Sequence, residues 1–504
     1  MSITDGITPR SADYSQWYLD VIAQGQLADY SPVKGCMVLK PNGYALWDNI
    51  RVDLDRRFKE TGHVNAYFPL LIPVSFLSKE AEHVEGFAKE CAVVTHHRLR
   101  AAKDGGVEPD PESKLEEPLV IRPTSETIIW HMYGQWIQSW RDLPILINQW
   151  ANIVRWEMKT RPFLRTTEFL WQEGHTAHAT AAEAVEETER MLEVYRAFSE
   201  EMLAVPVVPG RKSASERFAG AVDTYCIEAL MQNGWALQAG TSHFLGQNFA
   251  RAFDVTFTTP EGQREHVWAT SWGVSTRLIG GVIMTHSDDT GLVLPPRIAP
   301  TQVVITPIWK GEGEKATILA YANEVKAALS GRFRVTVDER DTLKPGAKYF
   351  DWERKGVPLR LEIGPRDMAS RSVFAAPRIA IAPPGQPDVP AQVKKFALGL
   401  DGLADAVGGV LDAIQARLLA RATAHRDASI HTPADYLAFK AQLEQGGFLR
   451  VPWFDDAEAE ARIKEETKAT IRCYPLVGQE EAAGRVCFYS GRPANRIALF
   501  ARAY

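Results

Sequence analysis

Four short stretches gather residue types that packing alone does not call for. In IRPTSE, residues 121–126, a hydroxyl and a carboxylate sit two apart, so on a strand Thr124 and Glu126 share one face and could together hold a small ammonium group. IVRWEMK puts Arg155 and Glu157 in the same relation, and Arg165 follows ten residues after Arg155 to open RTTEFLWQEGH. An arginine beside an acid on a strand is usually an ordinary ion pair, but the nearby RTTEF and WQEGH favour a site. LQAGTSHFLGQNF, residues 237–249, crowds Gln238, Thr241, Ser242 and His243 beside an apolar run. In SWGVSTRLIGGVIMTH, small polar residues and Arg277 precede a helix-like run with a glycine pair, which permits close backbone approach and offers a planar cation suited to phosphate. Arginines in apolar surroundings need an anionic partner to justify burial.

These residues must be positioned by a folded scaffold. Leu46, Ile50, Leu54 and Phe58 lie four apart, which predicts one apolar helix face over 42–60 with a stop at Gly62. VNAYFPLLIP then reads as a strand ended by Pro73, and residues 101–117 read as an exposed loop or hairpin tip. From 119 to 257 short apolar runs alternate with polar turns, and EAVEETERMLEVYRAFSEEML is a strong amphipathic helix. That mixture predicts an α+β fold, with an antiparallel sheet covered by helices. LPPRIAP, residues 294–300, is the best boundary between domains. Beyond it QVVITPIW, a helix over 316–329, FRVTVDER, VPLRLEIG and RIAIAPP alternate as in a small α/β domain that ends at APPGQPDVPA. A helix-rich segment to about residue 468 and a terminal strand-and-turn region complete the chain.

The 504 residues fit about three domains, and 45% hydrophobic with 24% charged residues excludes a disordered or collagen-like chain. Fifty-seven basic against sixty-three acidic residues give −6, which excludes a uniformly basic nucleic-acid binder. Residues 301–400 alone hold 16 basic and 11 acidic side chains, a net +5 that suits a polyanion. Five cysteines, an odd and sparse set, point to a reducing compartment. With no leader-like start and no run of eighteen apolar residues, export and membrane spanning are not expected.

As a set the motifs are recognisable. GYALWDNIRVDLDRRFKETGHVNAYFPLLIP resembles motif 1 of the class II aminoacyl-tRNA synthetases, RWE with RTTEFLWQEGH resembles motif 2, and GVSTRLIGG resembles motif 3. RPTSE, LQAGTSHFLGQNF, WERKGVPLRLEIGPRD and the terminal FARAY are similar to prolyl-tRNA synthetases of the archaeal and eukaryotic-cytoplasmic type, also found in some bacteria. The resemblance runs from about residue 14 to the end. It implies a catalytic domain over 1–296 on an antiparallel sheet of six or seven strands, an α/β anticodon-binding domain over 297–396 and a small α/β C-terminal domain over 397–504.

It further implies ATP-dependent formation of prolyl-adenylate and transfer of the prolyl group to tRNA(Pro), with Mg²⁺, by a cytoplasmic homodimer joined through motif 1. Arg155 would contact the α-phosphate and the proline carboxylate, and Arg277 the γ-phosphate. Glu157, Arg165, Thr166, Gln238, Thr241 and Ser275 would complete the ATP and magnesium site. Thr124 and Glu126 would take the secondary ammonium, with Phe169, Trp171 and His243 near the ring. Glu353, Arg360, Arg366 and Asp367 would read the anticodon guanines, whose O6 and N7 acceptors suit arginine. In the family the terminal tyrosine, here Tyr504, packs toward the active site.

Two departures qualify this carry-over. The family's C-terminal domain often binds zinc through two cysteine pairs. VPWFDDAEAEARIKEE lacks the first, and CFYSG keeps Cys487 with Ser490 in place of its mate, so no structural zinc is expected, with Cys473 and Cys487 reduced or packed and apolar contacts around Phe454 instead. Gln172 and Arg277 lie 105 positions apart, a span without room for the inserted editing domain of the bacterial type. Two other readings are weaker. A metallohydrolase built on Glu173, His175 and His178, or on His96 and His97, meets a glycine and threonine that break the helical pattern, which leaves His175 either a core residue or a support of the proline pocket. A non-catalytic RNA-binding paralogue would ordinarily lose Arg155, Arg165 and Arg277, all present here.

Overall fold

The computed structural model describes residues 6–77, 91–382, 391 and 395–504. Its centre is an eleven-stranded sheet. Strand Glu168–His178 lies in the middle, paired antiparallel with Ile145–Val154 on one side and Trp268–Ser275 on the other. Beyond Trp268–Ser275 follow Ala236–Gly246, Asp223–Leu230 and Val207–Arg211, all antiparallel, while the short Val64–Asn65 closes the opposite edge in parallel. Six of these seven strands form the antiparallel sheet anticipated for the catalytic region, and the parallel Val64–Asn65 is added at its edge. The α+β class is as expected.

Two helices cover the back of the sheet. Pro41–Glu60 starts on a proline, whose missing N–H costs nothing in a first turn. It buries Leu46, Ile50, Leu54 and Phe58, each at most 1% exposed, inside its own subunit. The predicted stripe is therefore a core face. Ala181–Glu201 is held at its start by a capping box between Thr180 and Glu183. Gly174 lets Trp272 lie flat against the sheet from this side, since a Cβ there would meet the indole at 2.1 Å. The opposite face of the central strands is left open.

VNAYFPLLIP does not form one strand. Val64–Asn65 joins the main sheet, whereas Leu71–Pro73 pairs with Lys114–Ile121 in a separate three-stranded sheet. Pro69 has no N–H for a ladder, and the Phe68 N–H donates to the Gln149 side chain at 2.6 Å instead of to a strand. Within 101–117 the chain forms the hairpin Leu99–Ala101 and Val107–Pro109, then enters Lys114–Ile121.

The next unit has parallel strands Val335–Val337, Val303–Pro307 and Leu359–Ile363, extended antiparallel by Ser372–Pro377 and Phe396–Gly399. RIAIAPP is not a strand; the ladder lies just before it in Ser372–Pro377 and ends at the proline, although Ile379 and Ile381 stay buried. Most of APPGQPDVPA falls outside the described residues. Helix Leu403–Ala428 packs Val407, Leu411, Ile414 and Leu418 onto this unit's core. Bidentate pairing of Arg378 with Asp288, at 2.8 and 2.9 Å, ties the unit to the catalytic region.

The C-terminal strands do not form a sheet of their own. Thr470–Pro475 pairs with Val207–Arg211, and Arg496–Ala501, Phe448–Trp453 and Ile430–His431 continue outward, so the catalytic sheet runs on into the last segment of the chain. The junction is nailed by buried charges: Lys212 Nζ donates to Glu228 at 2.8 Å, and Arg472 donates to both oxygens of Glu228 at 3.1 Å. Around Cys487 an aromatic cluster of Phe439, Trp453, Phe488 and Phe500 fills the core, and Arg492 lies 3.5 Å from the centre of the Phe454 ring. Among the described residues no three His, Cys, Asp or Glu side chains gather in a way that could hold a metal, and no helix is long and apolar enough to cross a membrane.

Candidate active site

A cavity of about 300 Å³ opens on the uncovered face of the central strands. Strand periodicity builds its floor. Phe169, Trp171, Glu173 and His175 alternate along one strand, with Ser275, Gly273 and Ser271 beside Trp171, Glu173 and His175 in register. On the next strand Thr241 pairs with Gly273 and His243 with Ser271. Gln238 is three residues from Thr241 and would face the opposite side of a regular strand. A register irregularity lets both reach the cavity, because Ile227 pairs with Gly240 while Glu228 pairs with Gln238, leaving Ala239 as an extra residue.

Loops supply the rest. Thr124 and Glu126 do not lie on a strand; Thr124 stands in a loop between bends at Pro123 and Ser125, and Glu126 is the first residue of helix Glu126–Trp136. They meet nonetheless, the Thr124 hydroxyl donating to the Glu126 carboxylate. Arg122, fully buried, pins this loop by donating to the carbonyls of Asn152 at 2.8 Å and Phe68 at 2.7 Å. Arg155 follows the end of its strand; its Nε donates to the Pro123 carbonyl at 3.0 Å, and its guanidinium lies 5.7 Å from both the Phe169 and Trp171 rings. Arg277 opens helix Arg277–His286, its N–H bonded to the Ser275 hydroxyl at 3.2 Å and its Nε to the Leu164 carbonyl at 3.2 Å. In the glycine pair Gly280 is closely faced: a Cβ there would stand 2.4 Å from the Leu164 side chain and 2.9 Å from the Tyr18 hydroxyl, so a larger residue would press on the loop that Arg277 grips.

Electrostatics divide the cavity into two ends. Burial, with Arg155, Arg165 and Arg472 nearby, lowers the Arg277 guanidinium to about 10. Such mutual repulsion among cations is what an incoming polyanion relieves. At the other end burial lowers His243 to about 4, and its Nδ1 lies 2.9 Å from the Thr224 hydroxyl, so near neutrality it is an uncharged wall stacked on Phe218. Burial also opposes charge on His175, but its bond to Glu173 at 2.9 Å and the charges of Glu173 and Glu126 outweigh this and raise its pKa. His175 and His178 are on a strand rather than a helix, so they point to opposite faces and cannot share a metal.

The cavity thus gathers Thr124, Glu126, Arg155, Phe169, Trp171, Gln238, Thr241, His243, Ser275 and Arg277. Glu157, Arg165 and Thr166 do not line it. The strand ends at Val154, and beyond it Glu157 pairs with Arg165 at 3.1 Å, while Thr166 is buried. Sequence reasoning missed Lys212, Glu216 and Phe218, which lie far from the recognisable motifs, and the supporting Gln149. Lys212 carried no usable signal: a lysine between two strands is ordinarily solvated. Tyr504 reaches the motif 2 loop, its ring 5.0 Å from the Arg161 guanidinium and its hydroxyl accepting from Asn233 at 2.7 Å. In the second unit Arg360 is buried between Glu353, at 2.8 Å, and Glu362, at 3.1 Å, Arg366 is exposed, and Asp367 caps the Gly364 N–H at 2.8 Å.

Three family models match the chain: the class II tRNA synthetase core domain (G, H, P, S and T) over residues 108–286, an anticodon binding domain over 302–378 and the C-terminal region of prolyl-tRNA synthetase over 436–504. The proline–tRNA ligase of Porphyromonas gingivalis is 58% identical over 500 residues, 99% of each chain. The chain belongs to the class II prolyl-tRNA synthetases. The proline–tRNA ligase of Salinibacter ruber is 55% identical over the whole of both chains. Among solved structures, the prolyl-tRNA synthetase of Cryptosporidium parvum complexed with halofuginone and AMPPNP is 38% identical, with a TM-score of 0.89 over 100% of this chain and 98% of that one.

Proposed function

We propose that this member of the family activates L-proline with ATP and transfers the prolyl group to tRNA(Pro), using the cavity as its active site. The observation that carries the reading is the pairing of a carboxylate loop with an arginine cluster in one cavity: Thr124 and Glu126 at one end, Arg155 between, Arg277 at the other. A secondary ammonium needs an anion and a hydroxyl acceptor, which Glu126 and Thr124 supply, and the pyrrolidine ring needs apolar walls, which Phe169, Trp171 and neutral His243 supply. Arg155 sits beside this loop through Pro123, so one guanidinium reaches both the carboxylate of proline and the α-phosphate.

The carboxylate oxygen attacks the α-phosphorus and the bond to the pyrophosphate oxygen breaks. The nucleophile is already an anion, so no side chain has to remove a proton. Catalysis rests on orientation and on cations fixed where charge accumulates. Arg277 holds the γ-phosphate, with Gln238, Thr241 and Ser275 along the nucleotide and Arg165 and Glu157 turning from each other to ATP when it binds. The donor set suits Mg²⁺, which takes oxygen ligands and keeps several from substrate phosphates. Gln238 and Glu157 would hold it, and it would neutralise charge on the leaving pyrophosphate.

Arg360 and Glu353, with Arg366 and Asp367, read the anticodon guanines; the Arg360–Glu353 ion pair is exchanged for base edges on binding. The catalytic domain spans 1–296 and the anticodon domain starts at 297, but its end lies beyond the expected 396, because Phe396–Gly399 is its edge strand and Leu403–Ala428 packs on its core; the C-terminal region follows that helix. The chain belongs with the archaeal and eukaryotic type. In support, the span from Gln172 to Arg277 is filled by strands and helices of the central sheet and leaves no inserted hydrolytic domain. Alanine, lacking part of the ring, is then rejected only about 10- to 200-fold per lost group and is not cleared in cis. The protein acts in the cytoplasm as a homodimer through motif 1. Because the Leu46–Phe58 stripe is consumed internally, the partner meets the outer surface, where Tyr44, Val52, Tyr67 and Leu71 are 45, 66, 69 and 39% exposed. The C-terminal region holds no zinc, its place taken by the aromatic cluster and the Phe454–Arg492 contact.

The test is amino-acid-dependent exchange of pyrophosphate into ATP with all twenty amino acids, for wild type and Arg155→Ala. Proline should dominate, alanine should give a weaker signal and the variant should give none. A signal dominated by another amino acid would overturn the assignment.

A further inference from the structure

Beneath the proline loop lies a buried polar network in which Glu173 and His175 belong to the cavity floor while Ser125 and Gln149 stay behind it. Glu173 receives three donors: the Ser125 hydroxyl and Gln149 Nε2 on one oxygen, the latter at 2.8 Å, and His175 Nε2 on the other at 2.9 Å. Gln149 Nε2 also lies 3.2 Å from the Ser125 hydroxyl, and Gln149 Oε1 accepts from the Phe68 N–H at 2.6 Å. Ser125 and Gln149 have no measurable exposure, and Glu173 has 2%. Both ends of the Gln149 amide are thus committed, one to a backbone donor and the other to a carboxylate. No other side chain of that length satisfies both, since glutamate would set a second anion against Glu173 and methionine would satisfy neither.

Ser125 stands between the two residues that meet proline. Its hydroxyl points down into the network while Thr124 and Glu126 point up into the cavity, so holding Ser125 sets the separation and direction of its neighbours. From this geometry we propose that Gln149 is a positioning residue for amino-acid recognition: with Glu173 it clamps Ser125 and thereby fixes the Thr124–Glu126 pair against the secondary ammonium. The clamp also explains why Phe68 leaves the strand pattern of its segment. The inference rests on the proline-activation reading above.

Pyrophosphate exchange with varied proline, alanine and ATP tests it, on Gln149→Met, Gln149→Glu and the smaller change Ser125→Ala. Loss of a hydrogen bond to a charged group corresponds to about a tenfold or greater effect, so Gln149→Met and Ser125→Ala should each raise KM for proline by about that factor. KM for ATP should stay within about twofold, and the preference for proline over alanine should narrow, because alanine uses less of the preformed geometry. Gln149→Glu should be worse than Gln149→Met. The double variant Ser125→Ala with Gln149→Met should lose less than the product of the two single effects. A purely structural role would lower the active fraction with both KM values unchanged, or move both together, and either result overturns the proposal. Wild type that fails to activate proline would instead overturn the reading beneath it.

Discussion

Glu228 is the residue whose replacement should tell most about how the chain is held together. It has no exposed surface, and its carboxylate is shared by Lys212 at 2.8 Å and Arg472 at 3.1 Å, whose side chains are 3 and 9% exposed. Burial alone would raise its pKa, but Arg472 and Lys212 hold it below the usual carboxylate range. At an effective dielectric constant of about 20, two unit charges 3 Å apart attract by roughly 5 kcal/mol, and the Lys212–Arg472 repulsion returns part of that. Glu228→Gln keeps the shape and removes the charge, leaving two buried cations facing one another. Breaking a buried pair in this way costs about 3–5 kcal/mol. Because Lys212 belongs to the catalytic region and Arg472 to the last segment, calorimetry should show the transition that includes this junction lowered by several degrees, and amide exchange in Thr470–Pro475 should accelerate. The triple replacement Lys212→Met, Glu228→Leu, Arg472→Met removes all three charges and should recover most of the loss, since apolar substitutes of similar volume are often neutral. A Glu228→Gln protein that unfolds within about 1 °C of wild type would refute this reasoning, as would a triple variant no better than the single one.

Three further outcomes are expected. Arg277→Gln should reduce kcat/KM for ATP by about 10² to 10³ while moving KM for proline little, and a loss under tenfold would remove Arg277 from the phosphate site. Burial lowers His286 to about 3 and His178 to about 4, so the unfolded chain binds more protons than the folded one below about pH 6.5. Stability should therefore be fully present above that pH and fall on acidification toward 4. His178→Gln should flatten the slope between pH 6 and 4.5 by about 1.4 kcal/mol per unit, and an unchanged slope would contradict the assignment. Metal analysis should find zinc far below one equivalent, and a chelator should leave the melting temperature unmoved; stoichiometric zinc would show that ligands other than Cys487 have been recruited.

The site was legible where chemistry and strand period agree. Phe169 and Trp171, named through the family resemblance, do lie on one face because side chains alternate, and Arg277 begins a helix where Ser275 and Thr276 precede it. It was illegible where the backbone departs from its period. Thr124 and Glu126 meet through a bent loop and a helix start rather than a shared strand face, and Gln238 joins Thr241 only through an extra residue in the strand. Long-range contributions left no local trace: Lys212 becomes a pocket residue because Arg472, 260 positions away, shares its carboxylate. The same holds for domain organisation. Nothing in the sequence of Val207–Arg211 announces that Thr470–Pro475 will pair with its free edge and draw the C-terminal segment into the catalytic sheet. Conversely, an apolar helix stripe states only that a face is covered, and the cover for Leu46 to Phe58 is the subunit's own sheet.

The central claim meets its most direct test in the charging of tRNA. Purified protein, ATP, Mg²⁺ and labelled proline should aminoacylate a transcript of tRNA(Pro), and a transcript with both anticodon guanines replaced should be charged far less efficiently. Absence of charging by folded protein with the unaltered transcript, or equal charging of both, would contradict the account.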